Sequence, residues 1–129
     1  MKTLRVVAAY MEKDGCVFAA KRAYGFLKGR WEFPGGKIET GETPEEAIIR
    51  EIKEELDTDI AVDGFFTNVQ YDYPDFHLDM DVFRCHVIGG RLEVNPEIHG
   101  EEAFIPKESL LDEPWCPADE IIAKRIIEG

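Results

Sequence analysis

Apolar and polar positions follow two different periods along the chain, and the places where the period changes mark the elements. LRVVAAYM and CVFAAKRA are apolar, β-branched stretches separated by EKDG, which predicts a hairpin of residues 3–11 with 16–22. Residues 24–37 form a Gly-rich, aromatic loop with an extended piece at 31–33, broken by Pro34-Gly35-Gly36. From Thr43 the period becomes helical. Thr43 is placed to cap, Pro44 to open the helix and Glu46 to close a capping box, while Ile48, Ile52 and Leu56 recur on one face. Residues 60–73 and 76–88 read as strands joined at Tyr73-Pro74-Asp75, and FHLDMDVFRCHV alternates as a half-buried strand does. Gly89-Gly90 turns the chain into a short strand predicted at 91–94, and residues 103–105 form a short apolar piece. A closing helix at about 118–127 carries Ile121, Ile122, Ile126 and Ile127 as its buried stripe. A mixed sheet with two helices is an α/β (α+β) domain.

Composition narrows the class. A chain of 129 residues suits one domain, and 44% hydrophobic with 33% charged residues is the balance of a globular protein. No apolar run approaches a membrane span and the N-terminus lacks the pattern of a secretory signal, so cytoplasmic residence is expected. Cys16, Cys85 and Cys116 have no paired spacing and predict reduced, packed thiols rather than disulfides or a zinc site. A net charge of −12 argues against a nucleic-acid polymer as partner. It leaves room for one small phosphorylated ligand whose charge is met by metal ions. Monomer and homodimer both remain open.

The helix raises the chemical question. Glu51, Glu54 and Glu55 stand at i, i+3 and i+4, so they share a side of the helix, where like charges repel. One reading is a solvated acidic face, the usual fate of such runs. The other is a site for a hard divalent cation with oxygen ligands, Mg²⁺ being the usual choice beside phosphates.

The spacing Gly36, five residues, Glu42, seven residues, then Arg50-Glu51-Ile52-Lys53-Glu54-Glu55 resembles the Nudix box, and the lead-in WEFPGGKIETGET is similar to the MutT branch of that family. The resemblance runs from VVAAY to PWCPAD. It implies an α/β/α sandwich with the box as loop–helix–loop, and a Mg²⁺-dependent hydrolase (Mn²⁺ a possible substitute) of nucleoside diphosphates linked to another group. It further implies that Glu51, Glu54 and Glu55 are metal ligands, that Gly36 turns its carbonyl to the metal, and that Arg50 orients a box carboxylate. Glu42 matches a position with a structural role.

Two positions depart from the family pattern. Asp57 stands where a glycine usually ends the helix, a place where Asp tolerates the left-handed backbone better than most residues. The late glutamate of MutT-type enzymes, six residues before an aromatic, falls here on Ile98, so neighbouring Glu97 is the candidate, with a merely solvated acidic loop as the alternative. In WCPAD, Asp119 matches the position that reads the base. An ionised Asp only accepts hydrogen bonds and favours an exocyclic amine, as on cytosine N4. CTP, dCTP or 5-substituted dCTP is therefore expected. An 8-oxo-dGTP diphosphatase is the alternative, served by a protonated Asp119, and Asp119 as the cap of the last helix is the structural one. Arg22, Glu32, Phe33, Phe76 and Leu78 are further candidates for substrate contact, each with an ordinary surface or packing role as its counterpart. Two readings from other classes stand beside the enzyme: a nucleotide-sensing domain without chemistry, and an acidic Ca²⁺-binding domain, which no EF-hand-like loop supports.

Overall fold

A computed structural model describes residues 2–92 and 99–129. The first strand, β1 (Lys2–Tyr10), alternates so that Val7 and Ala9 enter one apolar cluster while Ala8 and Tyr10 enter another. It therefore sits in the middle of a sheet buried on both faces. That sheet runs β5 (Gly35–Lys37), β1, β7 (Phe76–Gly89), β6 (Asp59–Tyr73), with β1 and β7 parallel and the other pairings antiparallel. A second sheet centres on β3 (Cys16–Arg22), which pairs with β2 (Glu12–Lys13), β4 (Trp31–Glu32) and β8 (His99–Pro106), all antiparallel.

Helix α1 (Pro44–Leu56) lies on one face of the first sheet, through Ala47, Ile48, Ile52 and Leu56. Helix α2 (Pro117–Glu128) follows a 3₁₀ turn (Lys107–Asp112) and covers the other face, through Ala118, Ile122, Ala123 and Ile126. The sandwich of helices about a mixed sheet is the expected one. Trp115 is fully buried beneath α2, its indole N–H donating to the Leu110 carbonyl (2.6 Å). Its truncation to Ala would cost roughly 3–5 kcal/mol. Among the described residues no helix is long and apolar enough to cross a membrane.

Local chemistry explains where α1 begins and ends. The Thr43 hydroxyl accepts from the Glu46 amide (3.1 Å) and the Glu46 carboxylate accepts from the Thr43 amide (2.9 Å), a reciprocal cap worth about 1 kcal/mol. At the other end Asp57 takes φ 49°, ψ 45° and its amide donates to the Lys53 carbonyl, so Asp serves as the left-handed stop.

Three expectations are corrected. The segments flanking EKDG do not pair with each other: β1 joins β5 and β7, and the hairpin consists of the short β2 with β3. Both segments are apolar on two faces, so alternation carries no record of which sheet each one enters. Arg91 and Leu92 lie outside any strand, Leu92 having φ 57°, while the rest of the strand predicted there lies outside the described residues. Ile127 is exposed, and Ala118, Ile122, Ala123 and Ile126 form the buried stripe of α2, with Ile121 half-buried beside them. The hairpin of β6 and β7, the helix α1 and three free, partly or fully buried cysteines agree with expectation.

Candidate active site

Strand β5 and the loop that follows it to Thr43 lie against α1, tied there by Arg50. Its guanidinium donates to both oxygens of Glu42 (Nε 2.6 Å, Nη2 2.9 Å), to Glu51 (2.9 Å), to Glu54 (3.2 Å) and to the Lys37 carbonyl (2.9 Å). The first of these bonds holds the Glu42 carboxyl down at about 2. Glu42 also accepts from the Glu39 amide, which fits a structural role.

One helical turn supplies the carboxylates, yet they do not all face the same way. Glu55 is largely buried and its Oε2 has no hydrogen-bond partner. Desolvation, reinforced by the nearby charges of Glu51 and Glu32, pushes its carboxyl up to about 9, while the Gly35 amide acts in the opposite sense. Glu51 packs so close to Gly36 that a Cβ at that glycine would collide with the Glu51 carboxylate. Glu54 is more exposed, its side chain 60% accessible, and it shares the Arg50 Nη1 with Glu51. Among the described residues no three acidic, His or Cys side chains already stand in metal-ligand geometry. The residues nonetheless fit a divalent cation. Mg²⁺ is commonly held by one or two carboxylates with waters and phosphate oxygens completing its shell, and an unpartnered buried carboxylate oxygen beside a second carboxylate is a suitable start.

A cavity of about 330 Å³ opens from this carboxylate end. Gly35, Gly36 and Glu55 line one end of it, and Arg22, Glu32, Phe33, Phe76, Leu78 and Asp119 line the rest. The structure thus brings every described substrate candidate to a single space. Phe33 is buried and stacks on Trp115 with centroids 4.8 Å apart and planes at 10°, so it serves the core and the wall at once. Asp119 is buried in the first turn of α2, where its Oδ1 accepts from the Phe33 amide (2.9 Å). Burial, with Glu32 nearby, raises its carboxyl well above the usual carboxylate range. The capping alternative is overturned, since the cap of α2 is Cys116. Arg22 is committed to protein partners: Nη1 donates to Glu32 Oε1 (2.9 Å) and Nε to the Phe26 carbonyl (2.9 Å). Glu97 lies outside the described residues.

Sequence reasoning missed Tyr24, Phe26 and Tyr73, which also line the cavity. Tyr73 accepts from the Ala118 amide through its hydroxyl (3.1 Å) and meets Phe76 at 5.2 Å between ring centroids. The signal available was the aromatic pair in AYGF, too polar a setting to read as core.

A family model described as NUDIX domain matches residues 1–128. The CTP pyrophosphohydrolase of Escherichia coli (strain K12) is 32% identical over 120 residues, covering 92% of this chain and 87% of that one. The 8-oxo-dGTP diphosphatase of Proteus vulgaris is 39% identical over 84 residues, covering 64% and 75%. A MutT NUDIX hydrolase from Burkholderia pseudomallei, solved by crystallography, superposes with a TM-score of 0.86 at 27% identity over 98% of this chain and 99% of that one.

Proposed function

The chain belongs to the NUDIX family and is a Nudix nucleotide pyrophosphohydrolase, and from that premise we propose that it splits CTP, dCTP or a 5-substituted dCTP into the monophosphate and pyrophosphate, with Mg²⁺ or, as a substitute, Mn²⁺. The observation that carries this reading is the one cavity that runs from Glu55 and Gly36 to Asp119. A triphosphate lying along it sets its phosphates at the carboxylates and its base at α2.

In this reading Glu51, Glu54 and Glu55, with the Gly36 carbonyl, hold the cation, and Glu97 is the candidate for a further carboxylate. A divalent cation there neutralises phosphate oxygens and acidifies an attacking water. Arg50 keeps Glu51 at its post while tying down the loop that carries Gly36. The buried Glu55 Oε2 is placed to hold a proton or a cation, and a carboxylate of this set takes the proton from the attacking water.

At the far end, burial raises the Asp119 carboxyl, which disfavours the ionised acid on which the sequence argument for cytosine rested; in its protonated form the group presents one donor and one acceptor. That pair matches N3 and the N4 amine of cytosine. The cytosine reading is further supported by the CTP pyrophosphohydrolase, which is similar over nearly the whole chain. A second reading, 8-oxo-dGTP as substrate, draws on the same protonated acid, which turned over can donate to a purine O6, and on the Proteus relative.

Nucleoside monophosphate release from CTP, dCTP, 5-methyl-dCTP, 8-oxo-dGTP, dATP and ADP-ribose with Mg²⁺ decides. Cytosine nucleotides in the lead support the proposal. An 8-oxo-dGTP lead replaces it with nucleotide-pool sanitation. No turnover of any triphosphate overturns it and favours ADP-ribose-like substrates or a sensor.

A further inference from the structure

We propose that the loop between β3 and β4 is a built wall of the base subsite, in which Phe26 stacks on the nucleobase and Arg22 is the positioning residue that holds it there. The proposal rests on the reading of the cavity as a nucleotide site.

Arg22 was a candidate for direct contact with substrate, but its guanidinium is occupied on two sides, by the Glu32 carboxylate and by the carbonyl of Phe26 (each 2.9 Å). Its backbone closes the same loop: the Arg22 amide donates to Arg30 and the Gly29 amide to Arg22, both at 3.0 Å. Inside that closure the chain turns tightly, with Gly25 and Gly29 at φ of +73° and +85° and Leu27 at φ 64°. Leu27 is a poor residue for a left-handed backbone. It holds that conformation while its side chain packs on the main core. The turn that packs the half-buried Leu27 on the core leaves its neighbour Phe26 outside.

Phe26 is 54% exposed and Tyr24 61%, yet both line the cavity. The Phe26 ring stands edge-on to Tyr73, 5.6 Å between centroids and 85° between planes. Among the described residues one of its faces meets no aromatic ring, in a wall that continues inward through Tyr73 and Phe76. Large apolar surface at the mouth of a cavity, fixed by a charged staple instead of being folded inward, suits a flat aromatic ligand. Base–aromatic stacking tolerates different bases, so this contact adds affinity and orientation while Asp119 discriminates.

The test is steady-state kinetics of Phe26→Ala, Phe26→Trp, Arg22→Met and the double variant Phe26→Ala/Arg22→Met on whichever nucleotide the wild type turns over best. Calorimetric binding of CMP and GMP accompanies the kinetics. Phe26→Ala should raise KM on the order of tenfold with kcat nearly unchanged, the size of one lost base–aromatic stack, and Phe26→Trp should restore it. Arg22→Met should raise KM similarly, and the double variant should be no worse than either single one, because both remove the same contact. An unchanged KM for Phe26→Ala overturns the proposal, as do additive effects in the double variant or a loss confined to kcat. A wild type that turns over a different nucleotide class but still loses affinity through Phe26→Ala sinks the cytosine assignment and keeps this one. Failure of both CMP and GMP to bind the wild type overturns this one directly.

Discussion

At the carboxylate end of the cavity nearly every polar group comes from one continuous stretch, Gly36 to Glu55, folded as the end of β5, a loop and one helix. At the base end Arg22, Phe26, Phe33, Tyr73 and Asp119 come from separate elements that meet only after both sheets and α2 have packed. The first end is held by charge: Arg50 gathers the carboxylates and Glu55 is left with an unpartnered oxygen. The second is held by packing and single hydrogen bonds, such as Phe33 on Trp115 and the Phe33 amide on Asp119. Glu32 stands between them, bonded to Arg22 and near both Glu55 and Asp119. In the proposed reading the two ends serve chemistry and recognition separately, so substitutions at them should fall on different kinetic constants.

The strongest way to break that comparison is at the first end. Glu55→Gln and Glu51→Gln should each lower kcat on the order of 10³-fold, by loss of a cation ligand. Thermal melts of Glu55→Gln without metal should show it at least as stable as the wild type, since a carboxyl that burial holds protonated is replaced by a neutral amide that needs no proton uptake on folding. A large loss of stability would mean that Glu55 is structural. Next come the adjacent glycines. Gly36→Ala should displace Glu51 and cost about 10²-fold in kcat, as small misplacements do. In Gly35→Ala the new Cβ would strike the Val7 backbone carbonyl, so the damage should appear in the melting temperature instead. Equal behaviour of the two variants would dissolve the distinction.

At the second end, Asp119→Asn keeps an acceptor for the Phe33 amide and should change the ratio of kcat/KM between cytosine and 8-oxoguanine nucleotides by about tenfold, with kcat on the better one little altered. A uniform fall in kcat across all substrates would count against a base-reading role.

The smallest effect is in pH. The Glu55 carboxyl is raised in the fold from an ordinary 4.5 to about 9, so across that window the folded chain holds a proton that the unfolded chain has released. Stability of the metal-free protein therefore falls as pH rises from about 4.5 towards 9. Melts in EDTA should show a steadily falling Tm over that range. Mg²⁺ should restore more of it at high pH, where it competes with fewer protons. Glu55→Gln should flatten much of the slope, the remainder belonging to Asp119, which is shifted in the same direction. A flat wild-type profile would mean that Glu55 is already ionised.

What the sequence by itself determined is local. The cap at Thr43, the apolar face of α1, the stop at Asp57 and the spacing from Gly36 to Glu55 all depend on neighbours within one or two turns, and they were readable for that reason. The long hairpin of β6 and β7 was readable from alternation and a turn, and the cysteines from their lack of spacing. Only the tertiary structure decided what depends on long-range pairing. It put β1 between β5 and β7 rather than beside β3, because a strand apolar on both faces can join any sheet. It turned Glu54 to Arg50 and Glu55 inward, although the two are adjacent in sequence and both on the helix face that spacing marks as acidic. It converted Arg22 from a free cation into a staple, and buried Asp119 so that its carboxyl lies above the usual carboxylate range. Charge states and partners of this kind follow from how much water is left around a group, and that is settled only when the last helix packs down.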